Sequence, residues 1–234
     1  MKLSIVMPVY NEGNLIGKTL KRVEESVKTP HELLICYDMD EDTTVQPVKK
    51  LQKKYPNVKL VKNAYGRGAL NALKTGLEAA KGEAVCTMMA DLTDDPKVLN
   101  YMMDKFDDGY DVIAASRYMK GGNQIGGPVL KQILSRMAGI SLHYLVSLPT
   151  HDATNSFRLY RKSFLDKNKV ESNGGFELAL EFTVKAYFQG YKVSEVPTTW
   201  TYLAKESRFY LKKWLPKYLK WYFWAISQKL NGKP

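Results

Sequence analysis

The sequence is poor in the residues that most often hold disulfides or metal ions. It contains only 2 cysteines and 3 histidines in 234 residues. Cys36 and Cys86 lie far apart in apolar, strand-like runs, which gives neither a disulfide framework nor a zinc spacing. We expect both to be reduced core residues. The three histidines share no metal-ligand spacing either, so histidine- or cysteine-based metal chemistry is excluded.

Long hydrophobic runs are also missing. No stretch approaches the roughly 18 consecutive apolar residues that a spanning helix needs. The apolar run at the start is interrupted by Pro8, too early for a secretory signal. We therefore expect a cytoplasmic protein.

Two familiar nucleotide-binding fingerprints are absent. There is no Walker A sequence, and Gly66-Arg67-Gly68-Ala69-Leu70-Asn71 lacks the third glycine of a dinucleotide-binding turn. A glycine turn that opens a helix is the better interpretation of this segment. No nucleic-acid motif is present, so we expect no nucleic-acid partner.

The composition is that of a folded domain with a strong positive charge. Apolar residues make up 44% and charged residues 25% of the chain. The formal net charge of +11 favours phosphate-rich partners such as nucleotides and anionic lipids.

Strand-like and helix-like segments alternate over the first half of the chain. This alternation predicts βαβ units and an α/β fold with a mostly parallel sheet. The predicted strands cover 3–9, 33–37, 58–61, 84–89 and 112–115, and the predicted helices 12–27, 43–55, 67–80 and 96–106. Beyond them we predict a mobile glycine-rich loop over 116–128, helices over 131–148 and 174–188, and a last strand over 191–196.

Three polar segments follow predicted strands and so meet at one edge of the sheet, where ligands of such folds bind. They are Tyr10-Asn11-Glu12, Asp38–Asp42 and Asp91–Asp95. The last has three carboxylates and is closed by Pro96, which is typical of a site for a divalent cation and phosphate. The alternative is a polar turn that caps the next helix.

The tail, residues 207–230, is basic and aromatic. Its aromatic rings recur at helical spacing, and its lysines lie off that series. The series, including one alanine in line with the rings, is Tyr210, Trp214, Tyr218, Trp221 and Ala225. The lysines are Lys212, Lys213, Lys217 and Lys220. Such a helix suits a membrane interface. The alternative is a helix that packs its rings on the domain. We predict that Pro216 breaks or kinks it.

A longer set of motifs resembles the family 2 glycosyltransferases of the GT-A fold, and within them the dolichyl-phosphate mannosyltransferase branch. The resemblance covers residues 3–209 and rests on Pro8-Val9-Tyr10-Asn11-Glu12, Asn63 with Gly66-x-Gly68, Ser116-Arg117-Tyr118, Ser135-Arg136, Asp152-x-Thr154-x-x-Phe157-Arg158, Glu195-Val196-Pro197 and Lys205-Glu206-Ser207-Arg208. It implies a three-layer GT-A domain over 1–206 and an amphipathic tail over 207–234.

The resemblance also implies site residues. The nucleotide-sugar would be held by Pro8, Tyr10, Glu12, Asp38, Ala90, Lys205, Ser207 and Arg208, and the acceptor phosphate or leaving diphosphate by Arg117, Ser135 and Arg136. Asp91, Arg117 and Arg136 would be the catalytic residues. Asp91 would bind Mg²⁺ or Mn²⁺. The family's usual Asp-x-Asp is here Met89-Ala90-Asp91, so Asp94 becomes the candidate second metal ligand.

The function implied is inverting transfer of a hexose from a GDP- or UDP-linked sugar to a polyprenyl phosphate, dolichyl or undecaprenyl, at the cytoplasmic face of the membrane. A phosphate acceptor is already anionic and needs little help from a general base, whereas an alcohol acceptor needs one. The alternatives are transfer to a hydroxyl of a cell-envelope glycan, with Asp152 or Glu177 as the base, and a non-catalytic relative that binds nucleotide-sugars.

Overall fold

A seven-stranded sheet organises the chain, for which a computed structural model describes residues 1–203 and 211–233. The strands are β1 (Leu3–Pro8), β2 (His31–Tyr37), β3 (Val58–Lys62), β4 (Ala84–Thr87), β5 (Val112–Ser116), β6 (Asn123–Ile125), β7 (Arg158–Arg161), β8 (Val193–Pro197) and β9 (Thr199–Thr201). The helices are α1 (Ile16–Ser26), α2 (Val45–Leu51), α3 (Ala69–Ala79), α4 (Val98–Asp107), α5 (Val129–Val146), α6 (Lys162–Lys167), α7 (Leu178–Phe188) and α8 (Leu211–Leu230).

The strand order in the large sheet is β3-β2-β1-β4-β7-β5-β8, and every neighbouring pair is parallel except those made by β7. Ile5 of β1, for example, lies between Leu33 of β2 and Cys86 of β4. The predicted α/β fold with a mostly parallel sheet is confirmed. Parallel strands bring their carboxyl ends to one edge, and the antiparallel β7 brings its amino end to that edge.

Alternate residues of β1 face two different helical layers, as the period of a strand requires. Ile5 and Met7 pack with α1 and α4, and Val6 packs with α3 and α7. Because both faces are covered, the strands are continuously apolar, which is typical of parallel sheets. The result is the predicted three-layer arrangement.

Three strands and one helix escaped sequence-based prediction. The segment 116–128, predicted as a loop, contains β6, which pairs in parallel with β9 to make a separate two-stranded ribbon. The antiparallel strand β7 and the short helix α6 after it were also not predicted. β6 and β9 are each three residues long, too short for a periodic pattern, and their pairing partners are distant in sequence.

The C-terminal helix α8 packs on the domain. Trp221 and Ala225 are buried in a core cluster with Leu142 of α5 and Leu180 of α7. These two members of the aromatic series therefore face the protein, so the alternative of packing on the domain is correct for them. Tyr210 lies outside the described residues. Of the two alternatives for Pro216, a break is wrong, because α8 continues through this residue.

Within residues 1–203 and 211–233, no helix is both long enough and apolar enough to cross a membrane.

Candidate active site

The loops after β1 and β2 are tied together by a buried carboxylate. Asp42 accepts hydrogen bonds from the backbone of Asn11 at 3.0 Å and of Thr44 at 2.8 Å. Asn11 has a φ of 58°, a left-handed conformation that asparagine tolerates better than most residues. These contacts fix the path of the loop that carries Tyr10 and Glu12. Pro8 is buried at the end of β1, and the Tyr10 ring is exposed at the edge.

Asp38, which follows β2, holds the glycine turn before α3. One carboxylate oxygen accepts a hydrogen bond from the Asn63 side chain at 2.7 Å, and the other accepts one from the backbone of Gly68 at 2.9 Å. Gly66 and Gly68 have φ values of 83° and 129°, which explains why both are glycine. The geometry places the turn beside Asp38 at the carboxyl edge of the sheet.

The loop after β4 is held from α1. Thr19 donates a hydrogen bond to the carbonyl of Ala90 at 2.7 Å, and Arg22 donates one to the carbonyl of Leu92 at 3.1 Å. Leu92 has a φ of 64°, a strained conformation for leucine that such contacts can maintain. The turn orients Asp91, whose carboxylate accepts hydrogen bonds from the backbone and hydroxyl of Thr93.

Asp94 is the most unusual carboxylate of this loop. It is only 2% exposed, and its Oδ1 has no hydrogen-bond partner among the described residues. Burial, followed by the charge of Asp91, raises the pKa of Asp94 to about 7. A buried carboxylate oxygen without a partner is costly, and such a group calls for a ligand or a function.

Asp91 and Asp94 together fit a divalent cation of the magnesium type. Mg²⁺ takes oxygen ligands and is commonly bound by one or two carboxylates together with substrate phosphates. The part of the chain that is described contains no group of three or more His, Cys, Asp or Glu side chains suited to a metal. The candidate donor set is two carboxylates, which phosphate and water would have to complete.

On the other side of the site, Arg117 after β5 is almost completely paired. Its Nε and Nη2 donate to the two carboxylate oxygens of Asp152 at 2.7 and 3.0 Å, and the carboxylate also accepts from the Arg117 backbone. Burial by itself raises the pKa of Asp152, but the charge and hydrogen bonds of Arg117 outweigh burial and lower it. The pKa of Arg117 is raised, because the charge of Asp152 outweighs burial.

Three hydroxyl groups surround the Arg117 guanidinium. Its Nη2 donates to Ser135 and Thr154, each at 3.1 Å, and the Ser135 hydroxyl lies 2.6 Å from the Tyr118 hydroxyl. The predicted partners Arg117 and Ser135 are thus brought into contact. Arg136 is exposed on the next position of α5. Arg117 also lies near enough to Asp94 for its charge to lower the Asp94 pKa, against the larger effect of burial.

The two candidate bases for a hydroxyl acceptor are both buried, and both already accept hydrogen bonds from other residues. Asp152 is fully buried and paired with Arg117. Glu177 is 1% exposed and accepts hydrogen bonds from the backbone of Gly174 at 2.6 Å and Gly175 at 2.7 Å. A proton acceptor must reach the acceptor hydroxyl, and neither carboxylate is available to do so.

Most of the predicted site residues lie at the carboxyl edge of the sheet, with Pro8 buried at the end of β1 and Ala90 buried in the loop after β4. Lys205, Ser207 and Arg208 lie outside the described residues. Sequence reasoning missed the structural use of Asp42 and the hydroxyls of Tyr118 and Thr154. The resemblance motifs contained Tyr118 and Thr154, and only the folded chain shows that Thr154 accepts from the Arg117 guanidinium and that Tyr118 contacts the Ser135 hydroxyl beside it.

The comparisons with known proteins agree with this geometry. The family model of glycosyl transferase family 2 matches residues 4–168, which is well over half of the chain. This chain belongs to glycosyltransferase family 2. Its relatives include the dolichol-phosphate mannosyltransferase of Pyrococcus furiosus, 28% identical over 226 residues, with 94% of this chain and 62% of that protein covered. Another is the uncharacterized glycosyltransferase YkcC of Bacillus subtilis, 29% identical, with 72% of this chain and 52% of that protein covered.

Similar solved structures establish the GT-A fold of this glycosyltransferase. Glucosyl-3-phosphoglycerate synthase from Mycobacterium tuberculosis with UDP has a TM-score of 0.71 at 12% identity, covering 97% of this chain and 80% of that one. TarS of S. aureus with UDP-GlcNAc has a TM-score of 0.65 at 23% identity, covering 90% and 62%. The synthase was also solved with Mn²⁺. The chain spans between half and two thirds of the length of the two curated relatives named above.

Proposed function

We propose that this glycosyltransferase moves a hexose, with inversion, from a GDP- or UDP-linked sugar to a polyprenyl phosphate at the cytoplasmic face of a membrane. The observation that carries the proposal is the state of Asp152 and Glu177. Both carboxylates are buried and already hydrogen-bonded, which leaves a hydroxyl acceptor without either of its candidate bases. A phosphate acceptor carries its own negative charge and attacks without one. The similarity to a dolichol-phosphate mannosyltransferase supports the same acceptor class.

The donor half of the site lies between the loops after β1, β2 and β4. In the proposal, Pro8, Tyr10 and Glu12 frame the nucleotide together with Asp38, and Ala90 lines the sugar side. Asp91 and Asp94 would hold Mg²⁺ or Mn²⁺, and a bound cation would supply positive charge for the leaving diphosphate. UDP is the nucleotide in the similar solved structures, which supports a nucleoside diphosphate here.

The acceptor half is built around Arg117 and Ser135. In the proposal, Arg117 and the hydroxyls on it present a fixed set of donors to the acceptor phosphate, while the exposed Arg136 supplies a mobile positive charge. Because Arg117 donates two hydrogen bonds to Asp152, its guanidinium is already oriented before the acceptor binds. Such preorganisation lowers the cost of ordering the site during the reaction.

The membrane contact in this proposal is peripheral. Helices α5 and α8 are the amphipathic elements that would meet the lipid. A polyprenyl phosphate has its hydrocarbon chain in the bilayer, so an enzyme that uses it must reach the membrane surface.

The test is a transfer assay with matched acceptors. Purified protein is incubated with GDP-mannose, UDP-glucose or UDP-GlcNAc and with either a prenyl phosphate or the corresponding prenyl alcohol, with Mn²⁺ or EDTA, and products are identified by mass spectrometry. Glycosyl prenyl phosphate formed only with the metal supports the proposal. Transfer to the alcohol but not the phosphate would refute it in favour of a hydroxyl acceptor.

Nucleotide binding separates an inactive relative from a wrong choice of acceptor. Thermal unfolding is followed with GDP, UDP, CDP and dTDP, with and without Mn²⁺. A ligand at a hundredfold excess over its dissociation constant stabilises the folded state by about 2.7 kcal/mol. A Mn²⁺-dependent shift that Asp91→Asn abolishes supports the donor site. No shift with any nucleotide would instead favour a pocket that has lost its function.

A further inference from the structure

Helices α5 and α8 share one apolar surface that points away from the protein core. Their inner sides meet in a common cluster, in which Leu142 and Val146 of α5 pack with Trp221 and Ala225 of α8. The Ser141 hydroxyl of α5 lies 2.9 Å from the Tyr222 hydroxyl of α8, which marks the seam between the helices. Residues on the opposite side of each helix therefore face outward.

The outward side of α5 carries large apolar residues at helical spacing. Leu130, Ile133, Met137 and Tyr144 follow one another at intervals of three, four and seven residues, and Met137 and Tyr144 are 62% and 74% exposed. Ser135 of the candidate acceptor site, which is partly buried, lies on the other side of the same helix. Exposed apolar residues of this size in a continuous row mark an interaction surface.

The outward side of α8 continues this surface. Leu219, Phe223 and Leu230 are all exposed, Phe223 by 60%. They lie on the side opposite to Trp221 and Ala225. Trp221 and Ala225, two members of the series that the sequence offered to a membrane, are thus buried, and a different set of residues is exposed. We call the seven outward residues of the two helices the outer apolar face.

The charge of the two helices identifies the partner. Neither α5 nor α8 contains an aspartate or a glutamate, while α5 has two basic residues and α8 has five. They are Lys131, Arg136, Lys212, Lys213, Lys217, Lys220 and Lys229. Two helices that carry an apolar row and, among their aspartate, glutamate, lysine and arginine positions, only positive charge are complementary to the headgroups and acyl chains of an anionic bilayer.

We infer that the outer apolar face is the membrane-docking surface of this protein, that it inserts side chains at the headgroup level of an anionic bilayer, and that α5 and α8 lie flat on the membrane. The inference rests on the proposed function for the need to reach a lipid acceptor. It departs from the sequence-based assignment, because the residues that enter the lipid are Ile133, Met137 and Phe223. Docking in this way puts the helix that carries Ser135 directly on the bilayer.

Vesicle flotation of the full chain tests the inference. The probes are vesicles of phosphatidylcholine with or without phosphatidylglycerol, and the variants are Ile133→Asp, Met137→Asp and Phe223→Asp. Each is expected to weaken partitioning to anionic vesicles about tenfold, because an apolar contact becomes a like-charged one. Tyr101→Asp is the matched control, since Tyr101 is 61% exposed on α4 in the opposite helical layer. It should bind as the unchanged protein does.

The outcomes separate this inference from the proposed function. Unchanged vesicle binding in all three variants, or equal binding to neutral and anionic vesicles, overturns the docking surface even where transfer to a prenyl phosphate occurs. If the variants lose vesicle binding and the unchanged protein transfers sugar to no prenyl phosphate, the docking surface is supported and the proposed function is refuted. Analytical ultracentrifugation tests whether a second copy of the chain, and not a membrane, binds the outer apolar face. A dimer that the variants dissociate, with vesicle binding unchanged, would overturn the inference.

Folding of the variants is checked independently. Their melting temperatures should match that of the unchanged protein, because the substituted side chains are exposed. In solution, each variant should also transfer sugar to a short, water-soluble prenyl phosphate at the rate of the unchanged protein. A variant that loses vesicle binding and keeps this soluble activity shows that the surface acts in docking and not in catalysis.

Discussion

The carboxylate of Asp152 accepts two hydrogen bonds from the guanidinium of Arg117 in a buried ion pair. The Nε–Oδ2 distance is 2.7 Å and the Nη2–Oδ1 distance is 3.0 Å. The same guanidinium donates to Ser135 on α5 and to Thr154 before β7. One ion pair therefore connects the end of β5, α5 and the loop that enters the antiparallel strand β7. The proposed acceptor half of the site depends on this connection.

Asp152→Ala is expected to destabilise the protein by about 3–5 kcal/mol, because it leaves Arg117 buried without its counter-ion. The measurement is chemical denaturation followed by circular dichroism. The matched control is Asp111→Ala, which breaks the Arg161–Asp111 pair of the same 2.7 Å length at a partly exposed site. Its cost should be markedly smaller, since a more exposed pair is screened by water. Equal losses in the two variants would show that Arg117 is rehydrated and does not depend on Asp152.

The sequence was sufficient for the central sheet and for the placement of most site residues. Buried strands such as β1 and β4 are continuous apolar runs followed by polar loops, and a parallel sheet brings those loops to one edge. The positions of Asp38 and Asp91 follow from this rule alone.

The remaining features depend on contacts between distant residues. β7 contains the buried Arg158, whose guanidinium is satisfied by the carbonyls of Asp152 and Asn155 and by the Thr183 hydroxyl, and nothing local in the sequence predicts that arrangement. Likewise, a helix with rings on one side and lysines on another packs its rings equally well against lipid or protein. Only the neighbouring α5 and α7 decide which side of α8 is buried.

The buried carboxyl of Asp94 predicts a pH dependence of the metal-free protein. Its pKa in the folded state is raised, mainly by burial, from an ordinary 3.8 to about 7. The folded state therefore holds the proton more tightly, so this contribution to stability is complete below pH 3.8 and is lost as the pH rises through about 7. The shift corresponds to an upper limit of about 4 kcal/mol.

Asp94→Asn should remove this loss of stability at high pH, because the side-chain amide stays neutral at every pH. In EDTA, the variant should melt at a higher temperature than the unchanged protein at pH 8 and by a clearly smaller margin at pH 5, because the loss builds up progressively between pH 3.8 and about 7. Asp95→Asn, in the same loop but not buried, serves as the control and should show no such difference between the two pH values. A constant offset between Asp94→Asn and the unchanged protein at both pH values would contradict the assignment.

Trp221 distinguishes core packing from lipid contact. Because its ring is 2% exposed in the cluster with α5 and α7, Trp221→Ala should cost about 3–5 kcal/mol of stability. Vesicle binding of the fraction that stays folded should be unchanged. Phe223→Ala, two positions along, should do the opposite, with little change in melting temperature and weaker binding to anionic vesicles. If Trp221→Ala left the melting temperature unchanged, α8 would not be docked on the domain as described.

Substituting alanine for two helical glycines is expected to change the stability of the protein in opposite directions. In α5, a Cβ at Gly139 would clash with the carbonyl of His151, next to Asp152, so this glycine is what lets the helix approach the loop that holds Arg117. In α1, the nearest atom to a Cβ at Gly17 is a Leu51 methyl at 3.9 Å, which is an ordinary contact. Gly17→Ala should therefore stabilise the protein by up to about 1 kcal/mol, through the better helix propensity of alanine.

Gly139→Ala should instead destabilise the protein by about 1–3 kcal/mol, the usual cost of an overpacked contact. It should also raise the KM for the acceptor more than that for the donor, because displacing α5 moves Ser135 away from Arg117 while the loops after β1, β2 and β4 stay in place. Steady-state kinetics with each substrate varied in turn measures both values. An equal rise in the two KM values would mean that α5 supports the whole site, and a stabilised Gly139→Ala would show that the approach of α5 to His151 is looser than the contact described here.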